Sequence, residues 1–183
     1  MALDRLSKRG LMFTDSIDHC LDSQAQEGDR LMKWEKLQAD MLTKHIITDK
    51  ALRCYASPQG YVEIAYKFWV MRVPIFFMHL HIPDGMINQN SFISGYAKGN
   101  ADDFKELRPS RVELSGKIPV QIFTNDATGD EIRVNTRYYT PYTEKADEIT
   151  FWGLDRKSPV LAVNGPDFDL DNIVFMVLPI NYN

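Results

Sequence analysis

Two imidazoles one residue apart, in His79-Leu80-His81, are the sharpest chemical signal in the sequence. In an extended chain alternate side chains share a face, so both rings could reach one cation, with Asp84 close behind as an oxygen donor. Metal chemistry asks for more than that. No histidine follows His81, and His19 and His45 both lie far upstream. His79, His81 and Asp84 are therefore carried as candidate metal ligands beside a plainer alternative, two histidines on the polar face of a sheet.

Other chemistries fall short on spacing. Asp167-Phe168-Asp169-Leu170-Asp171-Asn172 opens like a calcium loop, but Asn172 stands where such a loop needs Gly, and Leu178 where it needs a bidentate Glu. An acidic turn fits the segment better. No GxSxG elbow, GxxxxGK[ST] loop or GxGxxG fingerprint occurs. His19 and Cys20 are adjacent, so on a helix they point about 100° apart and make no nucleophile pair by themselves. The acid pairs Asp102-Asp103 and Asp147-Glu148 read as solvated loop carboxylates. The expectation is a chain without a catalytic motif and without a resident cofactor.

The remaining signal is aromatic. Tyr138, Tyr139, Tyr142, Phe151 and Trp152 sit in a stretch rich in polar residues. Tyr and Trp combine an apolar body with a hydrogen-bonding tip, which suits contact surfaces, although strands also bury aromatics in cores. Tyr138, Tyr139, Tyr142 and Trp152, with Trp34 upstream, are the candidate interface residues.

What must position these groups follows from periodicity. Residues 1–56 lack strand-like alternation, are rich in helix formers, and break at Glu27-Gly28-Asp29, which predicts two helices. Leu31, Trp34, Leu37 and Met41 make one apolar stripe that needs a partner surface, either this protein's own sheet or a neighbouring subunit. Ser57-Pro58-Gln59-Gly60 ends that region.

Composition then turns β-rich. Tyr61 to Met71 alternates and reads as one strand, Val73 to Ile82 as a second that carries the histidine pair. Pro83 to Ser110 reads as a long connection, with a short strand around Phe92 to Tyr96. Further strands are predicted at 111–114, 118–123, 131–139, 149–154, 160–163 and 173–178, with hairpin loops at Asn125 to Asp130 and Asp155 to Ser158. The fold class expected is α+β and mostly β: an antiparallel β-sandwich or barrel over 57–183, with an N-terminal helical region over 1–56, together one folding unit.

Composition bounds the partners. The net charge is −4, with nine Lys/Arg against nine Asp/Glu in residues 1–56 and twelve against sixteen thereafter. No basic stripe offers itself to phosphates, so direct nucleic-acid binding is not expected. The apolar stretch Phe68 to Ile82 contains Arg72, Pro74 and both histidines, which argues against a membrane span. Two cysteines, Cys20 and Cys54, form no disulfide framework, and the N-terminus lacks the apolar run of a signal peptide. The expected setting is the cytoplasm or an assembled virion.

These readings favour a structural or interaction protein over an enzyme. The leading expectation is a subunit of a viral or phage particle, in a capsid, neck or tail, with like or unlike protein subunits as partners. One alternative is a small-molecule binder or metal-dependent enzyme with a pocket around His79 and His81. Another is an adaptor or inhibitor that grips a host protein through the 83–110 loop.

Overall fold

The computed structural model describes residues 33–40, 52–79, 81–82, 87–140 and 148–180. Its frame is a nine-stranded sheet in which every neighbouring pair is antiparallel. The strands are β1 (Arg53–Ala56), β2 (Tyr61–Tyr66), β3 (Trp69–Pro74), β4 (Lys105–Ser115), β5 (Ile118–Thr124), β6 (Glu131–Asn135), β7 (Ile149–Gly153), β8 (Val160–Asn164) and β9 (Ile173–Val177). Two short helices accompany them, α1 (Trp34–Asp40) and α2 (Phe92–Ala97).

The spatial order β1-β2-β3-β9-β8-β7-β4-β5-β6 resolves into three three-stranded meanders laid side by side. Within each meander sequence neighbours pair through short turns. The joints between meanders, β3 with β9 and β7 with β4, bring together segments far apart in the chain.

Turn chemistry explains the meanders. Asn125 Oδ1 accepts from the amides of Ala127 (2.9 Å) and Thr128 (3.3 Å), building the β5–β6 loop. Asp155 does the same for β7–β8, accepting from the Lys157 amide at 2.7 Å and the Ser158 hydroxyl at 2.9 Å. Both loops lie where the sequence predicts hairpins. The β2–β3 turn carries no such signal. Alternation runs unbroken from Tyr61 to Met71, yet Lys67-Phe68 forms a two-residue turn with Lys67 at φ 44°. A lysine fills a position that usually selects glycine, so the expected single strand is a hairpin.

Five further expectations are corrected. The connection expected over 83–110 holds a helix and the start of β4, which begins at Lys105, and the strand expected over 131–139 ends at Asn135, where a 3-10 turn over Thr136–Tyr138 begins. Arg53–Ala56, inside the segment read as helical, is a strand paired to β2. The strand expected from Val73 to Ile82 stops at Pro74, which has no amide for the ladder and opens a 3-10 turn over Ile75–Phe77. The short strand expected around Phe92 to Tyr96 is the helix α2. Ser91 caps it by accepting from the Ser94 amide at 2.9 Å, and Glu63, on β2, accepts from the Phe92 amide at 2.6 Å.

Both faces of the sheet are covered. Trp34 and Leu37 of α1 join a core with Ile64, Met71, Val160, Ala162, Phe175 and Val177 on one face. On the other, Ile93 and Ala97 of α2 pack with Val70, Leu161, Val163, Ile173 and Met176. This is why β8 is apolar in successive positions instead of alternating.

The sheet also curls at β4. A Cβ at Gly153 on β7 would come within 2.9 Å of Ile132 Cδ1 on β6, although two strands separate them in the ladder. In a flat sheet they would lie about 14 Å apart. Past β9, the Ile180 amide donates to the Arg133 carbonyl of β6 at 2.7 Å. The edge strands β1 and β6 do not pair with each other, so the sheet is not closed.

Candidate interaction surface

The histidine pair does not sit on a strand as its spacing predicted. His79 and His81 lie off the sheet, past the 3-10 turn, and both are exposed. The His79 amide donates to Gln38 Oε1 at 2.7 Å, which ties this segment to α1 by its backbone. Asp84 falls outside the described residues, as do His19, His45 and Cys20. Among the described residues no group of three or more His, Cys, Asp or Glu is placed to hold a metal. No helix among them is long and apolar enough to cross a membrane.

The aromatic candidates separate into two kinds. Trp34 and Tyr139 are buried in the first core, where Tyr139 stacks on Phe175 with ring centroids 5.2 Å apart. Burial pushes the Tyr139 phenol up to about 12. Trp152 is half-buried against Phe168 on the other face. Tyr138 is half-buried and stacks on the exposed Phe68 of the β2–β3 turn at 5.5 Å. Tyr142 falls outside the described residues.

The most elaborate polar cluster is internal. Glu63 is 0% exposed and Arg72 5%, and they meet at 3.2 Å between Oε1 and Nε. Glu63 also accepts from the Ser91 hydroxyl at 2.7 Å and from the Phe92 and Ile93 amides. Arg72 donates to the Leu170 and Ile173 carbonyls and to Ser94 Oγ, and lies over the Tyr61 ring at 4.5 Å. Each charge is answered by protein groups. The cluster anchors α2 and the 170–173 turn to β2 and β3, so its chemistry is architectural. Neither residue was singled out by the sequence, because Glu63 looks like a polar-face residue and Arg72 like part of a connection. The acidic segment 167–172 is a self-bonded turn in which Asp169 accepts from the Asp171 amide and the Asn172 side chain.

Besides Ile75, Phe76 and Ile87, the large apolar side chains left exposed among the described residues are Phe68, Val112, Leu114, Ile118 and Leu178. The β4–β5 hairpin runs past the rest of the sheet and exposes Val112 (59%) and Leu114 (76%) on one face and Ile118 (40%) on the other. The surface continues through the 3-10 turn Thr136–Tyr138, where the Thr136 hydroxyl donates to the Pro119 carbonyl and Arg137 Nη2 to the Lys117 carbonyl. From there Tyr138 reaches Phe68, and the exposed Leu178 is bonded through its amide to the Phe68 carbonyl.

Charges flank Val112 in alternating sign. Arg111 meets Glu113 Oε1 at 2.7 Å and Glu131 Oε1 at 2.9 Å. Those bonds raise the Arg111 pKa, and the Arg111 guanidinium holds the Glu131 carboxyl below its ordinary value. Exposed apolar side chains rimmed by ordered charges are the form of a docking surface. The aliphatics at its tip were missed in sequence because Val112 and Leu114 sit at core-like alternate positions of a strand, and only their place past the sheet exposes them.

The chain matches no family model, no curated protein and no solved structure, so the reading of this surface rests on its own geometry.

Proposed function

We propose that this protein is a self-associating structural subunit of a larger particle, of the kind that builds viral or phage capsids, necks or tails. The exposed apolar residues Val112, Leu114 and Ile118 of the β4–β5 hairpin, with Phe68 and Leu178 near Tyr138, carry this reading. Apolar side chains this exposed cost free energy in water, roughly 25 cal/mol per Å² that a partner would remove. The fold is read as a sandwich rather than a barrel. Support comes from β4, whose first residues pair with β7 and whose later residues pair with β5, and from the packing of Ile132 over Gly153.

The test is mass in solution by light scattering on a sizing column, with electron microscopy of the peak. A defined multimer that Leu114→Asp returns to monomer is the expected result. A wild-type chain that stays monomeric up to high micromolar concentration, or a multimer indifferent to Leu114→Asp, would overturn the reading.

A further inference from the structure

Sheet edges are where strands recruit partners, and this molecule treats its edges unequally. At one terminus β1 is only four residues long, and Ile87 bridges to its Cys54. At the other, the β6 carbonyl of Arg133 accepts from the Ile180 amide. A third edge lies inside the strand order. β4 pairs with β7 only from Lys105 to Leu107, and at Glu148 the chain entering β7 is a 3-10 turn rather than extended. From Arg108 to Ser115 β4 pairs with β5 alone among the described residues.

The polar groups on that edge can be assigned. Pro119 stands opposite Leu114, has no amide to give, and its carbonyl accepts from Thr136 at 3.2 Å, away from β4. The Leu114–Pro119 pair is therefore one of the non-hydrogen-bonded pairs of the ladder, and Leu114 turns its own N–H and C=O outward. Val112, two residues back on the same strand, does likewise. These are also the residues whose side chains are 59% and 76% exposed.

We infer that this edge pairs with the same edge of a second copy, antiparallel and about a twofold axis through Val112. The inference rests on the reading of the protein as a self-associating subunit and names how it associates. Charge selects the register. Centred on Val112, the pairing sets Arg111 opposite Glu113 of the second copy twice over, on a face where both already carry ordered charge. Centred one residue later, Glu113 would face its own copy; one residue earlier, Arg111 would. Like charges directly opposite destabilise a pair, and opposite charges favour it. A twofold contact of this kind is self-complementary and closes on itself.

Two sets of variants test the register, read by light scattering and by cross-linking in a Cys20→Ser background, with Cys54 left buried. In the proposed pair the two Val112 Cα atoms would stand about 5.5 Å apart, inside the disulfide range, whereas the two Leu114 Cα atoms would be about 14 Å apart. Mild oxidation should convert V112C to covalent dimer at least tenfold faster than L114C. The second set uses complementary charges. R111E alone and E113R alone should each weaken self-association at least tenfold, and an equimolar mixture should restore it, because each mutated residue then faces an opposite charge. Val112→Pro, which removes an outward amide that no described residue pairs with, should abolish the dimer with an unchanged unfolding midpoint.

A multimer in which V112C does not cross-link and mixing restores nothing would overturn this pairing while leaving the subunit reading intact. A monomeric wild type would remove both.

Discussion

The β7–β9 meander and the β4–β6 meander are built alike, three antiparallel strands joined by short turns, and they sit side by side in one sheet. Their surroundings could hardly differ more. β8 has Val160 and Ala162 in one core and Leu161 and Val163 in the other, so nothing on it is left to water until Asn164. The β4–β5 hairpin carries apolar side chains at Val112, Leu114 and Ile118 that the described residues leave exposed. Similar apolar alternation is core in one meander and exposed in the other, because the described helices and turns that cover the sheet do not reach the hairpin tip.

The sharpest break in that comparison should come from Phe175, at the centre of the aromatic cluster with Tyr139 and Phe151. Phe175→Ala should cost about 3–5 kcal/mol by chemical denaturation, while Leu114→Ala should stay within about 0.5 kcal/mol in the monomer. Comparable losses at both sites would erase the distinction between the two meanders.

Arg72→Ala should cost a similar 3–5 kcal/mol, because it strands the buried Glu63 carboxylate between β2 and α2. The pair Glu63→Gln with Arg72→Met should recover most of that loss. If it recovers none, the network acts through its bonds to Ser94, Leu170 and Ile173 rather than through its charge.

Alkaline pH should attack the covered region first. Burial raises the Cys54 thiol from 9.0 to about 12 and the Tyr139 phenol from 10.0 to about 12. Both stay protonated in the fold where the unfolded chain would ionise. Stability is therefore full below pH 9 and falls as pH rises from about 9 toward 12. Unfolding midpoints against pH should show that decline. In a Cys20→Ser background, thiol reagents should label Cys54 only as fast as the protein opens.

The smallest effect is expected at the β2–β3 turn. Lys67 holds φ 44°, which a side chain disfavours, so Lys67→Gly should relieve strain and raise stability by under about 1 kcal/mol. A loss instead would mean that the contact of the Lys67 ammonium with the Tyr66 ring, 5.3 Å away, outweighs the strain.

Legibility followed the range of the interactions. The strands at 118–123, 149–154, 160–163 and 173–178 and both polar hairpin loops could be read directly to within a residue, since alternation and Asx turns act within a few residues, whereas β4 begins six residues before its expected start and β6 ends at Asn135. Three readings failed where the deciding partner was distant or unmarked. The helix α2 depends on the Glu63 carboxylate from another strand, the β2–β3 turn uses a lysine where glycine is usual, and the histidine pair leaves the sheet because Pro74 ends the ladder. Of the described candidate interface residues, only Tyr138 lies beside the exposed Phe68; Trp34 and Tyr139 went to the core because α1 and the 136–140 turn fold back onto the sheet.

The sequence by itself determined that the chain is mostly antiparallel β and where most turns fall, because hydrophobic period and turn chemistry are local. It also determined the alternation of Arg111, Val112, Glu113 and Leu114 on which the proposed edge pairing rests. Only the tertiary structure decided the order of the meanders, the partners of Glu63 and Arg72, and which alternating strand would be left uncovered. Those outcomes depend on contacts between residues tens of positions apart, and exposure belongs to the packed molecule rather than to any segment of it.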